Sequence, residues 1–389
     1  MRAAPRGPSA APQKGKQGRD RKIARTNGRK NVKTTLILST ALAGMAFAAT
    51  AQEVNVVSWG GAYEVSQVEA YNKPFAEQTG IKVNMIAADN PATPLKAQVE
   101  AGNITGDVFD IEVSDAIRLC DEGALVEIDP ADLPPAPDGT PAAEDFIDGA
   151  LQDCAVANIF WGTVIAYDTT KFEGNAPATA ADFFDLEAFP GKRGLPKTPK
   201  RTLYLALIAD GAAADEIYDL LGSEEGVERA FAKLDTIKND VVWWEAGAQP
   251  VQLLADGEVT MATGYNGRFF DAMVGEGKPF AIIWDGQYMD LDMFAIPKDS
   301  PNPEAAMEYL KFATDTQRLA DQAKYIAYGP ARKSSAALVG LYQDGKTEMG
   351  PHMPTNPEYM TTAVMDDPEF WADHDAELTE RFNSWLAGS

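Results

Sequence analysis

Three short apolar runs near the start of the chain constrain the fold more than any other feature. Residues 54–58, 81–87 and 108–113 are rich in Val, Ile and Phe, and helix-length stretches separate them. The first stretch covers 64–79 and stops at Gly80; the second covers about 94–101 and stops at Gly102. Glycine just past a helical stretch takes the left-handed conformation that ends a helix. Strand, helix, strand, helix, strand predicts parallel βαβ units and an α/β class. A short helix over 114–123 is expected next. The first run also ends in Trp59-Gly60-Gly61-Ala62-Tyr63, which puts two aromatic faces and bare backbone at the carboxyl end of a strand. In open α/β sheets that end is where ligands sit.

The chain ahead of the first run reads differently. Residues 34–49 form an apolar run behind basic residues, and Ala49-Thr50-Ala51 has the small-x-small pattern of a signal-peptide cleavage site. The run is too short and too alanine-rich for a membrane span. Cleavage is expected after Ala51, and the unusually long basic lead suggests a translation start near Val32. Of 34 Lys and Arg and 58 Asp and Glu, 11 and one fall in residues 1–51, so the remainder carries 23 and 57, a net charge of about −34. Such a field repels phosphate backbones and argues against nucleic-acid binding. The remaining 338 residues are too many for one compact core and suggest two lobes. Cys120 and Cys154 are one possible disulfide in an exported chain, with two free thiols as the alternative.

Further along, the Pro-rich stretch 129–144 reads as a surface loop and 159–168 as a long strand crossing between lobes. A second lobe is expected from the helix over 202–209, the strands over 241–244 and 259–262, and further helices before residue 238. Strands over 280–284 and 291–296 follow, the latter returning to the first lobe. Amphipathic helices over 303–314 and 316–324 come next.

The sequence argues against enzymes by omission. Its two histidines, His352 and His374, lie near the C-terminus, and GxSxG, GxxxxGK[ST], HExxH and GxGxxG are all missing. What it does contain is aromatic residues at element ends and fixed charge beside them. Aromatic faces bind ammonium groups and clamp alkyl chains. Trp59 and Trp244 each open a Gly-containing loop and read as ligand faces; Trp161, Trp243 and Trp284 read as core. Glu112, Glu245, Asp290 and Asp292 stand at or just beyond apolar strands. Asp290 and Asp292, at strand spacing, point to one side. Arg201 and Arg268 are the positive counterparts, and Arg201, just ahead of the helix over 202–209, reads as the anion site.

Together these pieces resemble the periplasmic substrate-binding proteins of ABC importers, in the spermidine/putrescine branch. The matching strings are Ser58–Tyr63, Asp110–Ser114, Phe160–Tyr167, Leu254–Val259, Tyr265–Arg268, Phe294–Pro297 and Tyr328–Pro330, in order along the chain. The resemblance implies a type II binding-protein fold: two α/β lobes, each a mainly parallel sheet flanked by helices, hinged by crossing strands and closing on a solute. Lobe 1 is expected over 52–162 and lobe 2 over 163–287, with a return to lobe 1 over 288–338 and a C-terminal segment, 339–389, packing on lobe 2. It also implies a monomer that delivers a small amine to an inner-membrane permease, with no cofactor or metal. Trp59 and Tyr63 match first-strand aromatic contacts, Glu112 and Ser114 the second cleft loop, Tyr265 an aromatic platform, and Asp292 an amine-fixing acid. Tyr328 and the neighbourhood of Trp371 match further walls.

Two departures from the polyamine pattern stand out. Thr198-Pro199-Lys200-Arg201 replaces acids, and Asp290 replaces an aromatic residue. A ligand with one ammonium and one carboxylate, such as γ-aminobutyrate, fits these better than a diamine. Arg201 would then hold the acid end and Asp292 or Glu245 the amine. Another solute (a sugar or ferric iron), an exported hydrolase and a sensory ectodomain are the competing readings.

Overall fold

The computed structural model describes residues 52–172 and 174–388. The expected signal segment and the start near Val32 lie outside the described residues. The first half of the chain follows the predicted alternation. Strand β1 (Glu53–Ser58) leads into helices α1 (Gly61–Gln67) and α2 (Lys73–Thr79), joined by a single π-helical turn over Val68–Asn72. Strand β2 (Lys82–Ala87), helix α3 (Ala92–Ala101), strand β3 (Val108–Glu112) and helix α4 (Val113–Asp121) follow. Both β2 and β3 pair with β1 in parallel.

The middle of the chain supplies the long strand β4 (Ala155–Asp168). After it come β5 (Arg193–Pro196), helix α5 (Leu203–Ala209), helix α6 (Glu224–Asp235), β6 (Val241–Trp244), β7 (Met261–Tyr265) and helix α7 (Asn266–Phe270). Here too β5 pairs in parallel with both β6 and β7. The two strands expected over 280–284 and 291–296 are in fact one 16-residue strand, β8 (Phe280–Ala295). Asp285-Gly286 suggests a turn, but the structure absorbs it as a bulge, where the register with β4 shifts between Thr163 and Ile165. Gly286 has φ 67, and a Cβ there would come within 2.8 Å of the Ile208 side chain, so the bulge needs glycine.

Among the described residues the strand order is β2-β1-β3-β8-β4-β7-β5-β6. The two outer groups are parallel, and β8 and β4 run antiparallel between them. The two largest hydrophobic cores among the described residues are separate. Val56, Phe75, Leu95, Phe109 and Phe294 belong to the first, with the early part of β4; Phe183, Leu203, Leu207, Val227 and Leu234 belong to the second, with the late part of β4. Strands β4 and β8 therefore pass from one core to the other, as hinge strands must. Helix α8 (Pro303–Ala313) returns to the first core.

The C-terminal helix α9 (Pro368–Ala387) buries Trp371, Leu378 and Phe382 in the second core. Its first turns also face α4. A disulfide joins Cys120 to Cys154 with their Cα atoms 5.7 Å apart, tying the end of α4 to the start of β4. Closing a loop of that length stabilises the fold by about 3–4 kcal/mol on the chain-entropy model.

Candidate ligand-binding site

The cleft forms where strands from both cores end. Trp59 follows β1, Asp89 follows β2 and Glu112 ends β3; opposite them Pro196 ends β5, Trp244 ends β6 and Tyr265 ends β7. All six are at carboxyl ends, the position that open α/β sheets give their ligands. The outer cleft has a volume of about 980 Å³. An inner pocket of about 20 Å³ shares three of its lining residues, Trp59, Glu112 and Tyr265. Tyr63, Trp161, Arg268, Asp292 and Tyr328 complete the inner pocket.

The aromatic walls hold one another edge-on. Tyr63 and Tyr328 meet at 5.5 Å, Trp161 and Tyr265 at 5.2 Å, and Trp244 and Tyr265 at 6.1 Å. Tyr63 is fixed from beneath, where its hydroxyl accepts from Asn158 at 3.1 Å. The buried Asp110 accepts from Ser58, Gln67 and Asn158 below the pocket floor. Burial raises its pKa to about 6 even against these donors. Trp161, expected in the core, is buried but forms pocket wall, and its indole donates to Asp292 at 3.1 Å.

The charges fall into two sets. In the first, Arg201 pairs with Glu112 across the cleft and lies over the rings of Trp161 and Tyr265 at 5.0 and 5.7 Å. The Lys200 ammonium lies 2.9 Å from Asp366, 3.4 Å from Asp290 and 3.6 Å from Glu112. Burial alone would raise the Glu112 pKa, but Arg201 and Lys200 outweigh it and hold the carboxyl below its ordinary value. Burial would likewise lower Lys200, but Asp290, Asp366 and Glu112 hold it above the ordinary lysine range.

The second set is Asp292 and Arg268, both lining the inner pocket. Asp292 is 5% exposed, and Trp161 is its side-chain donor. Burial, with Asp110, Glu112 and Asp290 close by, pushes its carboxyl well above the usual range. Arg268 donates to the backbone carbonyl of Trp59 at 3.1 Å and keeps a buried, unpartnered Nε–H. Among the described residues neither has an ion-pair partner within 4 Å. Indole N–H groups of Trp59 and Trp244 and the Nε–H of Arg201 are also buried without acceptors.

The opening turn has a specific part in this. Gly60 and Gly61 both have positive φ, 66 and 65, and a Cβ on Gly61 would lie 2.5 Å from Arg268 Nη1. Gly61 is what lets the guanidinium lie against the backbone after β1. Tyr63, expected in the loop, is instead in the first turn of α1.

Three of the expected residues sit in surroundings the sequence did not anticipate. Arg201, read as the carboxylate site, is occupied by Glu112; Arg268 is the arginine facing the inner pocket. Asp290 is covered by Lys200 and lines neither pocket. Glu245 lies exposed at the outer rim and pairs with Lys197 at 3.0 Å. Ser114 and Trp371 line the outer cleft, and the Trp371 indole donates to the Tyr288 hydroxyl at 3.1 Å. Sequence reading placed Lys200 beside Arg201 on the cleft wall without giving it a role of its own, and missed Asp366 altogether. Nothing in the sequence near Asp366 marks it, because the short strand at Val364 and Met365 brings it beside β8 only in the fold.

Two cores joined by crossing strands, with an aromatic, charge-lined cleft between them, define a hinged solute-binding protein. The chain belongs to the bacterial extracellular solute-binding protein family, whose model matches residues 70–355. It is a solute-binding component of ABC import, and the family is one of binding proteins rather than enzymes. It is 42% identical over 350 residues to the gamma-aminobutyric acid-binding protein of Pseudomonas aeruginosa, covering 89% of this chain and 95% of that protein. Among solved structures, MotA of Agrobacterium tumefaciens B6 in complex with glucopine superposes with a TM-score of 0.76 at 31% identity, over 86% of this chain and all of that one. The Atu4243 GABA receptor superposes with a TM-score of 0.72 at 30% identity, over 87% and 98% of the two chains.

Proposed function

We propose that the protein captures an ω-amino acid of the size of γ-aminobutyrate and delivers it to an inner-membrane ABC permease. One observation carries this reading: a small aromatic pocket holds a buried acid and a buried arginine that form no ion pair with each other or with any other described residue. Uncompensated buried charge is costly unless a ligand completes it. A zwitterion does so at both ends. Its ammonium meets Asp292, its carboxylate meets Arg268, and its methylenes lie among Trp59, Tyr63 and Tyr328. The surplus of unpartnered N–H donors favours a ligand end rich in acceptors. A diamine would bring Arg268 no acceptor. The 42%-identical γ-aminobutyrate-binding relative supports the same reading.

The reading includes an exported, periplasmic monomer, cut from its signal segment after Ala51. Its lobes divide near residues 162/163 and 287/288, where β4 and β8 pass between the cores. Residues 339–389 pack on the second lobe and reach across to α4. Calorimetry tests the ligand. γ-Aminobutyrate should bind with a single-site isotherm while 1,4-diaminobutane gives little heat. Tight diamine binding with no γ-aminobutyrate heat sinks the proposal.

A further inference from the structure

We propose that Lys200 is a specificity-determining residue, a built-in ammonium that fills the place a ligand's second ammonium would otherwise take. The inference rests on the ω-amino acid reading and deepens it. Asp290 and Asp292 stand at i and i+2 on β8, so their Cα atoms are roughly 7 Å apart on one face of the strand. That is close to the separation of the two nitrogens in an extended four-carbon diamine. Both acids are buried. Taken alone, the strand presents two ammonium sites in a row.

Lys200 closes one of them. Its ammonium is 3.4 Å from Asp290 and 2.9 Å from Asp366, while Asp292 keeps an open face on the inner pocket. Without Lys200, Glu112 would retain Arg201, but Asp290 and Asp366 would have no cation among the described residues. Lys200 also lines the outer cleft, so the space it vacates would open toward the ligand's route. A diamine reaching Asp292 therefore brings its second charge against Lys200 with no acid left to receive it. Rejection by unmatched charge is a standard way to separate similar ligands.

The test compares wild type, K200M and K200R by calorimetry with 1,4-diaminobutane and γ-aminobutyrate, after circular dichroism confirms folding. Because K200M strips two buried acids of their cation, K200M/D366N is a second variant that removes one charge of each sign. In K200M or the double variant, diamine affinity should rise by about 10-fold or more, and the preference for γ-aminobutyrate should shrink by the same factor. K200R should keep the wild-type preference. A folded K200M or K200M/D366N whose diamine affinity stays within about threefold of wild type overturns the proposal and makes Lys200 a purely structural cation. The wild-type titrations judge the parent reading separately. If wild type itself prefers the diamine, that reading fails; if wild type prefers γ-aminobutyrate and no variant gains diamine affinity, only the Lys200 assignment fails.

Discussion

Asp290 and Asp292 differ by two positions on one strand, face the same side and are both buried, yet the protein treats them oppositely. Burial raises both carboxyl pKa values well above the ordinary range. Asp290 shares Lys200 with Asp366 and Glu112, so its charge belongs to a knot of side chains that is complete without a ligand. Asp292 has an indole N–H and a cavity. The contrast separates charge that holds the fold from charge that waits for a solute. Position in the sequence does not distinguish them, and burial does not either. What distinguishes them is whether a cation of the protein reaches the carboxylate.

The strongest way to break the comparison is to neutralise one acid on each side. D292N should lower affinity for γ-aminobutyrate by about 100-fold or more, since the ligand's ammonium loses its charged partner in a dry pocket. It should leave thermal stability unchanged or higher, because it removes an uncompensated buried charge. D366N, at the shortest Lys200 contact, should do the reverse. It should lose about 1–3 kcal/mol of stability while affinity changes less than about fivefold. Paired denaturant melts and calorimetric titrations decide. Loss of binding in both variants with no loss of stability in either would erase the distinction.

The fold was legible in the sequence because it rests on periodicity: apolar runs, glycine stops and a long crossing strand are local signals. The two strands that proved to be one were missed because Asp285-Gly286 has turn chemistry that a bulge uses equally well. Of the site, the residues at strand ends were legible. Trp59, Tyr63, Glu112, Tyr265, Asp292 and Tyr328 all come to the inner pocket. Which arginine faces the inner pocket was not legible, because that depends on partner choice: Arg201 meets Glu112 from the other core, and no local pattern encodes a contact 89 residues distant. Asp366 was invisible for the same reason, lying far along the chain from the β8 residues it joins.

The comparison sharpens at the carboxylate end of the ligand. Arg268 should behave as a ligand residue and Arg201 as a structural one. R268K keeps the charge but gives up the guanidinium fork, and should cost about 10-fold in γ-aminobutyrate affinity with little loss of stability. R201K should show its main effect in stability, through the Glu112 pair. G61A offers an indirect route to the same point. Its Cβ would press on Arg268 Nη1 and hold a side chain at positive φ, so it should lower both stability and affinity. Preserved γ-aminobutyrate affinity in both R268K and G61A would move the carboxylate elsewhere in the cleft.

The subtlest difference is in protons. In the free protein Asp292 sits above the ordinary carboxylate range, and a bound ammonium lowers its pKa by favouring the charged form. Between the loaded and the free pKa the bound state therefore holds fewer protons, so binding releases them and affinity strengthens as pH rises. The gain is at most about tenfold per pH unit for one group, and it flattens above the free pKa. Asp290 meets Lys200 in both states and should contribute no such release. Calorimetry in buffers of different ionisation enthalpy, from mildly acidic to neutral pH, should show a proton released on γ-aminobutyrate binding in wild type and in D366N. In D292N the remaining weak binding should release none. A release that persists in D292N would assign it to another group in the cleft and take away the distinction between the two acids.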